Sequence, residues 1–190
     1  MKYRIRELKA DEYKLLDDFL YEAIFILEGE KPLPRSVIYQ PELQVYVKNF
    51  GAEKDDICFV AEIETENESK NKCDNAEKIN TENLDRTENT EAIHIESGKV
   101  VGAVWVRDMN DYGHVEDGIP SFAVSLYKEY RGYGIGTALM KRMLQELAQR
   151  GYKKASLSVQ KANYAAKMYQ KLGFEIVDEN EEEYIMIYKL

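Results

Sequence analysis

Cysteine is nearly missing from this chain. Cys58 and Cys73 are the two present, far apart and in unrelated contexts. That excludes a disulfide framework and a C-x-x-C metal pair, and no metal is expected. Basic residues are outnumbered, 26 lysines and arginines against 35 acids, for a formal charge of −9. Such a balance argues against nucleic acid or an anionic membrane as partner. No apolar run approaches the roughly 18 residues of a membrane span. The first residues, Met1-Lys2-Tyr3-Arg4-Ile5-Arg6-Glu7, carry charges where a secretion signal needs an apolar stretch. A cytoplasmic location is the expectation. Two nucleotide-binding patterns are also missing. The fingerprint G-x-G-x-x-G needs glycine at 137 or 139, where Thr137 and Leu139 stand, and G-x-x-x-x-G-K-[ST] does not occur.

What is present suits one domain, 1–190, since a 44% hydrophobic fraction is enough for a real core. Tyr3 to Leu8 reads as a strand, followed by a helix from Asp11 to about Leu27 with Leu16, Leu20, Ala23, Ile24 and Leu27 on one face. Glu28 to Gln40, with Gly29, Pro32 and Pro34, is an irregular connection, and Glu42 to Phe50 a second helix. Ile57 to Ile63 is a strongly apolar strand. Lys99 to Arg107 is another, with Gly102 marking a bulge or a close approach of backbones. Ser121 to Tyr127 and Lys154 to Val159 are further strands, and Ala162 to Leu172 is a helix closed by Gly173. Phe174 to Val177 and Tyr184 to Tyr188 close the chain around the acidic turn Asp178 to Glu183.

Residues 64–97 differ from the rest. They are rich in Glu, Asn, Thr and Lys, and hold few large apolar residues. Such a segment buries too little surface to offset its ordering entropy, so a mobile insertion in a hairpin is expected, with a short strand-like piece at Ala92 to Ile95. The element order predicts a mixed α/β sheet of about seven strands, mostly antiparallel with one parallel crossover, and about four helices.

The most informative stretch is Arg131-Gly132-Tyr133-Gly134-Ile135-Gly136, set between the strand ending near Tyr127 and an amphipathic helix marked by Ile135, Leu139, Met143 and Leu147. A glycine-rich turn at a helix N-terminus makes an anion site, because the first-turn N–H groups are free and the dipole favours negative charge. Arg131 can add a charged fork to the same oxygens. The pattern points to a phosphate or pyrophosphate; a tight turn without ligand is the alternative.

Three pieces together resemble the GNAT superfamily of acetyl-CoA-dependent N-acetyltransferases. Tyr130 to Leu139 is similar to its pyrophosphate loop, [RQ]-x-x-G-x-[GA]. Lys154 to Val159 is similar to its fifth strand, and Asn163 to Phe174 to its last helix and turn, N-x-A-x-x-x-Y-x-x-x-G-F. The resemblance implies a GNAT-like fold whose fourth and fifth strands, a parallel pair, splay apart around the pantetheine arm of acetyl-CoA. Backbone groups of Val124, Ser125 and Leu126 would pair with that arm, as an added strand would. Arg131, Gly132, Tyr133, Gly134, Ile135, Gly136 and Thr137 would hold the pyrophosphate, and Asn163 would touch the cofactor farther along. Tyr169 would sit by the thioester sulfur as general acid, or else only pack there.

The implied reaction is direct transfer of the acetyl group to a primary amine of a small molecule. Protein or peptide acetylation, on an N-terminus or a lysine, and a non-catalytic CoA-binding sensor are the alternatives. No base is identified, since Glu116, Asp117 and His114 read as members of a solvated loop. The acceptor pocket would lie between Glu28 to Gln40 and Asp178 to Glu183, where Glu179, Glu181, Glu182 and Glu183 would attract a cation and Tyr39 and Tyr184 could flank it; a solvated hairpin tip is the reading that such a charge run favours. A homodimer paired through Tyr184 to Leu190 is an expectation by analogy with relatives.

Overall fold

Alternation along the central strands decides how the sheet is covered. Strand β2 (Ile57–Ile63) is buried at every position, so it needs packing on both faces. The computed structural model describes residues 1–64 and 98–190 and supplies both layers. With β2, the strands are β1 (Tyr3–Glu7), β3 (Val100–Arg107), β4 (Ser121–Leu126), β5 (Lys154–Gln160), β6 (Glu175–Glu179) and β7 (Glu183–Lys189). The helices are α1 (Leu15–Ala23), α2 (Pro41–Gln44), α3 (Ile135–Gln149) and α4 (Ala165–Leu172). The strands form one sheet in the order β1-β2-β3-β4-β5-β7-β6. Every neighbouring pair is antiparallel except β4 with β5. This is the mixed sheet that the sequence predicts.

Ile57, Phe59, Ala61 and Ile63 face α3 and α4, packing with Ile135, Leu139, Met140, Met143 and Leu147. Cys58, Val60, Ala103 and Trp105 face the other way, onto Leu16, Phe19 and Leu20 of α1. The two helix layers therefore sit on opposite faces of the sheet, each driven by apolar burial of one alternating set.

Two helices are shorter than their sequence implies. In place of a helix from Asp11 to Leu27, a 3-10 turn at Ala10–Glu12 precedes α1. Glu12 is spent on the Lys9 amide at 3.0 Å and on the Arg6 guanidinium at 2.7 Å, which ties the turn to β1. The helix stops at Ala23, before the β-branched pair Ile24 and Ile26. The expected helix from Glu42 to Phe50 is regular only over Pro41–Gln44. Beyond it the carbonyls turn outward to β3. Trp105 Nε1 donates to Tyr46 O at 3.1 Å, and Arg107 donates to Val45 O and Lys48 O at 3.0 and 2.9 Å. Long-range partners here displace the helical ladder that local sequence favours.

The expected insertion at 64–97, with its piece at Ala92 to Ile95, lies outside the described residues apart from Glu64. Its two ends meet, since Gly98 N donates to Ile63 O and Ile63 N to Lys99 O. Gly102 combines both roles considered for it. The register slips between Ala61 and Glu62 opposite it, and a Cβ at Gly102 would stand 2.7 Å from Leu126 Cγ and 3.1 Å from Ser125 O. Gly102→Ala is expected to lower stability by about 1–3 kcal/mol through overpacking between β3 and β4. A urea titration checks this, as a lower midpoint at unchanged slope.

Candidate active site

Strands β4 and β5 share one register pair, Ser121 with Ser156. The bond from Ser156 N to Pro120 O, 3.0 Å, closes that end. Past it the strands separate, so the β5-facing edge of β4 from Phe122 to Leu126 has no strand partner. Val124, Ser125 and Leu126 lie on this stretch. Ser125 does not offer its hydroxyl to the gap, because Oγ donates to Phe19 O at 2.6 Å and fastens α1 to the sheet. Their free backbone edge is what an extended ligand would pair with.

The glycine run follows directly. A 3-10 turn at Lys128–Tyr130 leads to Gly132 and Gly134, both left-handed at φ +84° and +80°. Neither has an atom within 4 Å of where a Cβ would stand, so the space above them is open. Gly134 caps α3 without a side chain, and the first helical bond is Ala138 N to Gly134 O at 3.1 Å. The amides of Ile135, Gly136 and Thr137 thus start the helix without helical acceptors. Gly136 serves packing, since a Cβ there would meet Leu126 Cδ1 at 3.2 Å.

Arg131 is placed differently from the charged fork that its sequence suggests. Its Nε donates to Leu126 O at 2.9 Å, and its Nη2 reaches Glu22 Oε2 at 2.9 Å and Glu22 O at 3.1 Å. The guanidinium clamps the glycine turn to β4 and α1. Tyr133 is 63% exposed at the tip of the turn. A cavity of 360 Å³ opens beside Thr137 between α3 and α4, lined by Lys141, Lys167 and Lys171. None of these lysines has an acidic partner among the described residues. In a chain of net charge −9 this is a local positive mouth.

Tyr169 lies on the buried side of α4, its ring 5.9 Å from Phe174. Burial raises its phenol well above the usual tyrosine value, so the hydroxyl keeps its proton. Asn163 starts the turn before α4, its Oδ1 accepting from Ala165 N at 2.9 Å, which leaves its amide NH2 to donate elsewhere.

On the opposite side, Tyr39 is 67% exposed. Of the acidic hairpin, Glu179 is paired with Lys161 at 3.0 Å, while Glu183 is half-buried and its carboxyl is pushed up by that burial and by Glu182. His114 Nδ1 lies 3.1 Å from Met109 O, and Glu116 and Asp117 are exposed. The loop's inward acid is one that the sequence did not single out. Asp111 Oδ2 accepts from Ser121 Oγ at 2.8 Å, beside the buried Tyr46. Nothing local marks Asp111, because its side-chain partners lie on β4 and near α2.

These features meet a family pattern. The model of the acetyltransferase (GNAT) family matches residues 57–174, more than half of the chain. The chain belongs to that GNAT family. Its family's donor is acetyl-CoA and its acceptors are amines. A mycothiol acetyltransferase of Corynebacterium aurimucosum is 39% identical over 72 residues, covering 35% of this chain and 23% of that protein. The match thus spans about a quarter of that relative's length. The fold is similar to the PaiA N-acetyltransferase of Thermoplasma acidophilum, solved in complex with coenzyme A, at TM-score 0.61 and 16% identity over 100% of both chains. It is also similar to the spermidine/spermine N-acetyltransferase SpeG of Vibrio cholerae, at TM-score 0.54 and 15% identity over 99% of this chain and 95% of that one. The chain carries the mixed seven-stranded sheet of the GNAT fold. No helix among the described residues is long and apolar enough to cross a membrane.

Because Arg131 is bound to Glu22, Arg131→Ala in this GNAT chain is expected to lower the stability of the ligand-free protein by about 1 kcal/mol. Denaturant unfolding without any donor measures it; an unchanged midpoint would show that the clamp contributes nothing.

Proposed function

We propose that this chain transfers the acetyl group of acetyl-CoA directly to a primary amine of a small molecule. The observation that carries the reading is the parting of β4 from β5 beyond Ser121 and Ser156, with the uncapped head of α3 at its end. The residues fit the donor at three points. The free edge at Val124, Ser125 and Leu126 suits the pantetheine amides. The amides from Gly132 to Thr137 suit the pyrophosphate, held by Arg131's clamp and not by its charge. The mouth at Lys141, Lys167 and Lys171 suits further negative charge at the nucleotide end. Acetyl-CoA supplies an activated acetyl thioester. Tyr169 holds a proton at Oη for the departing sulfur, and Asn163 has an amide free to donate toward the ligand.

The acceptor side supports a small molecule. The loop between β3 and β4 packs onto the sheet, with Gly113 so close that a Cβ would stand 2.6 Å from Ser121 Oγ and 2.9 Å from Ser158 N. A recess of 410 Å³ remains beside it, lined by Asp108, Met109, Asn110, His114 and Asp117. That volume is of small-molecule size, and its carboxylates favour a cation.

The test is a thiol-release assay with acetyl-CoA and a panel of n-butylamine, butane-1,4-diamine, spermidine, L-lysine and an alanine-initiated tripeptide. Release with the free amines is expected; release with the peptide alone would favour protein acetylation, and stabilisation by acetyl-CoA without release would favour a sensor. Tyr169→Phe is expected to cut turnover about 10²-fold while the KM for acetyl-CoA stays nearly constant. An unchanged turnover would remove Tyr169 from the chemistry.

A further inference from the structure

One half-buried acid has no part in the donor site. Asp111 sits in the β3–β4 loop, which carries Asp108, Asp111, Glu116 and Asp117 and no lysine or arginine between residues 108 and 118. The other three reach solvent or cap a turn. Asp108 accepts from Gly118 N at 2.9 Å, and Glu116 and Asp117 are exposed. Asp111 turns inward to the first residue of β4, where Ser121 Oγ donates to its Oδ2 at 2.8 Å. Its other oxygen, Oδ1, is enclosed and has no hydrogen-bond partner. Ser156 Oγ is a second orphan, on a residue with no exposed surface. Ser121 and Ser156 are register partners, so both hydroxyls project on the face that the loop covers. Gly113 pins the loop there, its backbone against Ser121 Oγ, Ser158 N and Leu157 C. Two unpaired polar atoms thus gather where β4 and β5 begin to part.

Unsatisfied buried groups cost free energy unless a ligand or water completes them. The missing partner of a carboxylate oxygen is a hydrogen-bond donor, which a hydroxyl can also accept from, and an ammonium is the donor that an acidic loop attracts. We propose that Asp111 is the proton acceptor for the acceptor amine, its free Oδ1 taking one proton from the ammonium while Ser121 and Tyr46 hold the carboxylate at the parting of β4 and β5. The assignment rests on the transferase reading above. No acid stands on β4 itself, Ser121 to Leu126, so Asp111 is the carboxylate that reaches its first residue.

The step balances. The ammonium gives one proton to Asp111 Oδ1 and becomes a neutral amine. Its lone pair forms the C–N bond as the C–S bond breaks; Tyr169 Oη gives its proton to sulfur, and the second proton leaving nitrogen replaces it on Oη, so Tyr169 ends as a phenol. Asp111 then returns its proton to solvent.

The surroundings suit a base. Burial pushes the Asp111 carboxyl above the usual aspartate range, and the nearby Tyr46 hydroxyl, Ser121 and the Gly113 amide offset only part of that. Burial and the negative charge of Asp111 in turn keep the Tyr46 phenol protonated, so it stays a donor. Glu183 from β7 and Tyr112 from the loop act on the same group, and both favour a proton there. The carboxylate form is therefore lost as pH falls through a value above the ordinary one, and activity falls with it.

The experiment is a kcat/KM–pH profile with the best free amine of the panel. Asp111→Asn is expected to lower kcat/KM about 10²-fold near neutrality and to recover as pH rises toward the amine's own pKa, with acetyl-CoA affinity unchanged. Asp111→Glu is expected to restore part of the rate. If Asp111→Asn does not fold, Ser121→Ala serves. Loss of that hydrogen bond to the carboxylate raises the carboxyl pKa, so the acid limb of the profile should move to higher pH. A 13C titration of the wild-type Asp111 carboxyl, with and without n-butylamine, gives a readout apart from turnover, and the amine is expected to lower its pKa. An Asp111→Asn profile equal to wild type, an unmoved limb in Ser121→Ala, or a titration indifferent to n-butylamine would overturn the assignment and leave the transferase reading standing. Failure of wild type to release thiol with any amine would overturn both.

Discussion

The separation of β4 from β5 after the Ser121–Ser156 pair is the constraint on which the rest depends. Strands in a sheet normally satisfy each other's edges, and here one edge of β4 is released within the core of the molecule. The release is held open from several sides. Ser125 and Arg131 fasten β4 and the glycine turn to α1, through Phe19 O, Glu22 and Leu126 O. Gly102 lets β3 approach the same strand closely from the other side. With β4 fixed in this way, the chain leaves it into a left-handed turn and α3 starts with bare amides at the open end. A free strand edge and an uncapped helix head are both unmet hydrogen-bonding capacity, and both meet at one gap.

The electrostatics of the two sides differ in sign. Lys141, Lys167 and Lys171 gather at the α3–α4 mouth, where a phosphate-bearing donor suits them. The β3–β4 loop and Glu183 carry negative charge on the opposite side, where an amine suits them. A net charge of −9 hides this separation, because it sums both signs into one number. For a transfer from an anionic donor to a cationic acceptor, such a division keeps the two reactants to their own sides.

Much of the sheet was legible in the sequence. Apolar runs at Ile57 to Ile63 and Lys99 to Arg107 became β2 and β3, and the four-residue spacing from Ile135 to Leu147 became the buried stripe of α3. The segments at Asp11 to Leu27 and Glu42 to Phe50 were less legible. Their periodicity is helical, yet Glu12 pairs with Arg6, and the carbonyls of Val45, Tyr46 and Lys48 accept from Trp105 and Arg107. In the second segment a side chain some sixty residues away decides whether the turns continue, and no local window holds that information.

By itself, the sequence determined the alternation of buried positions, the strand-to-helix turn and its glycines, because these follow from backbone sterics and from periods of two and 3.6 residues. Only the tertiary structure decided what the charged side chains do. Arg131 looked like a phosphate ligand until Glu22, 109 residues earlier, took its guanidinium. Asp111 looked like one more loop acid among four until Ser121 and Tyr46 enclosed it. Charge is set by residue type, but its energy is set by burial and by partners, and both are properties of the folded chain.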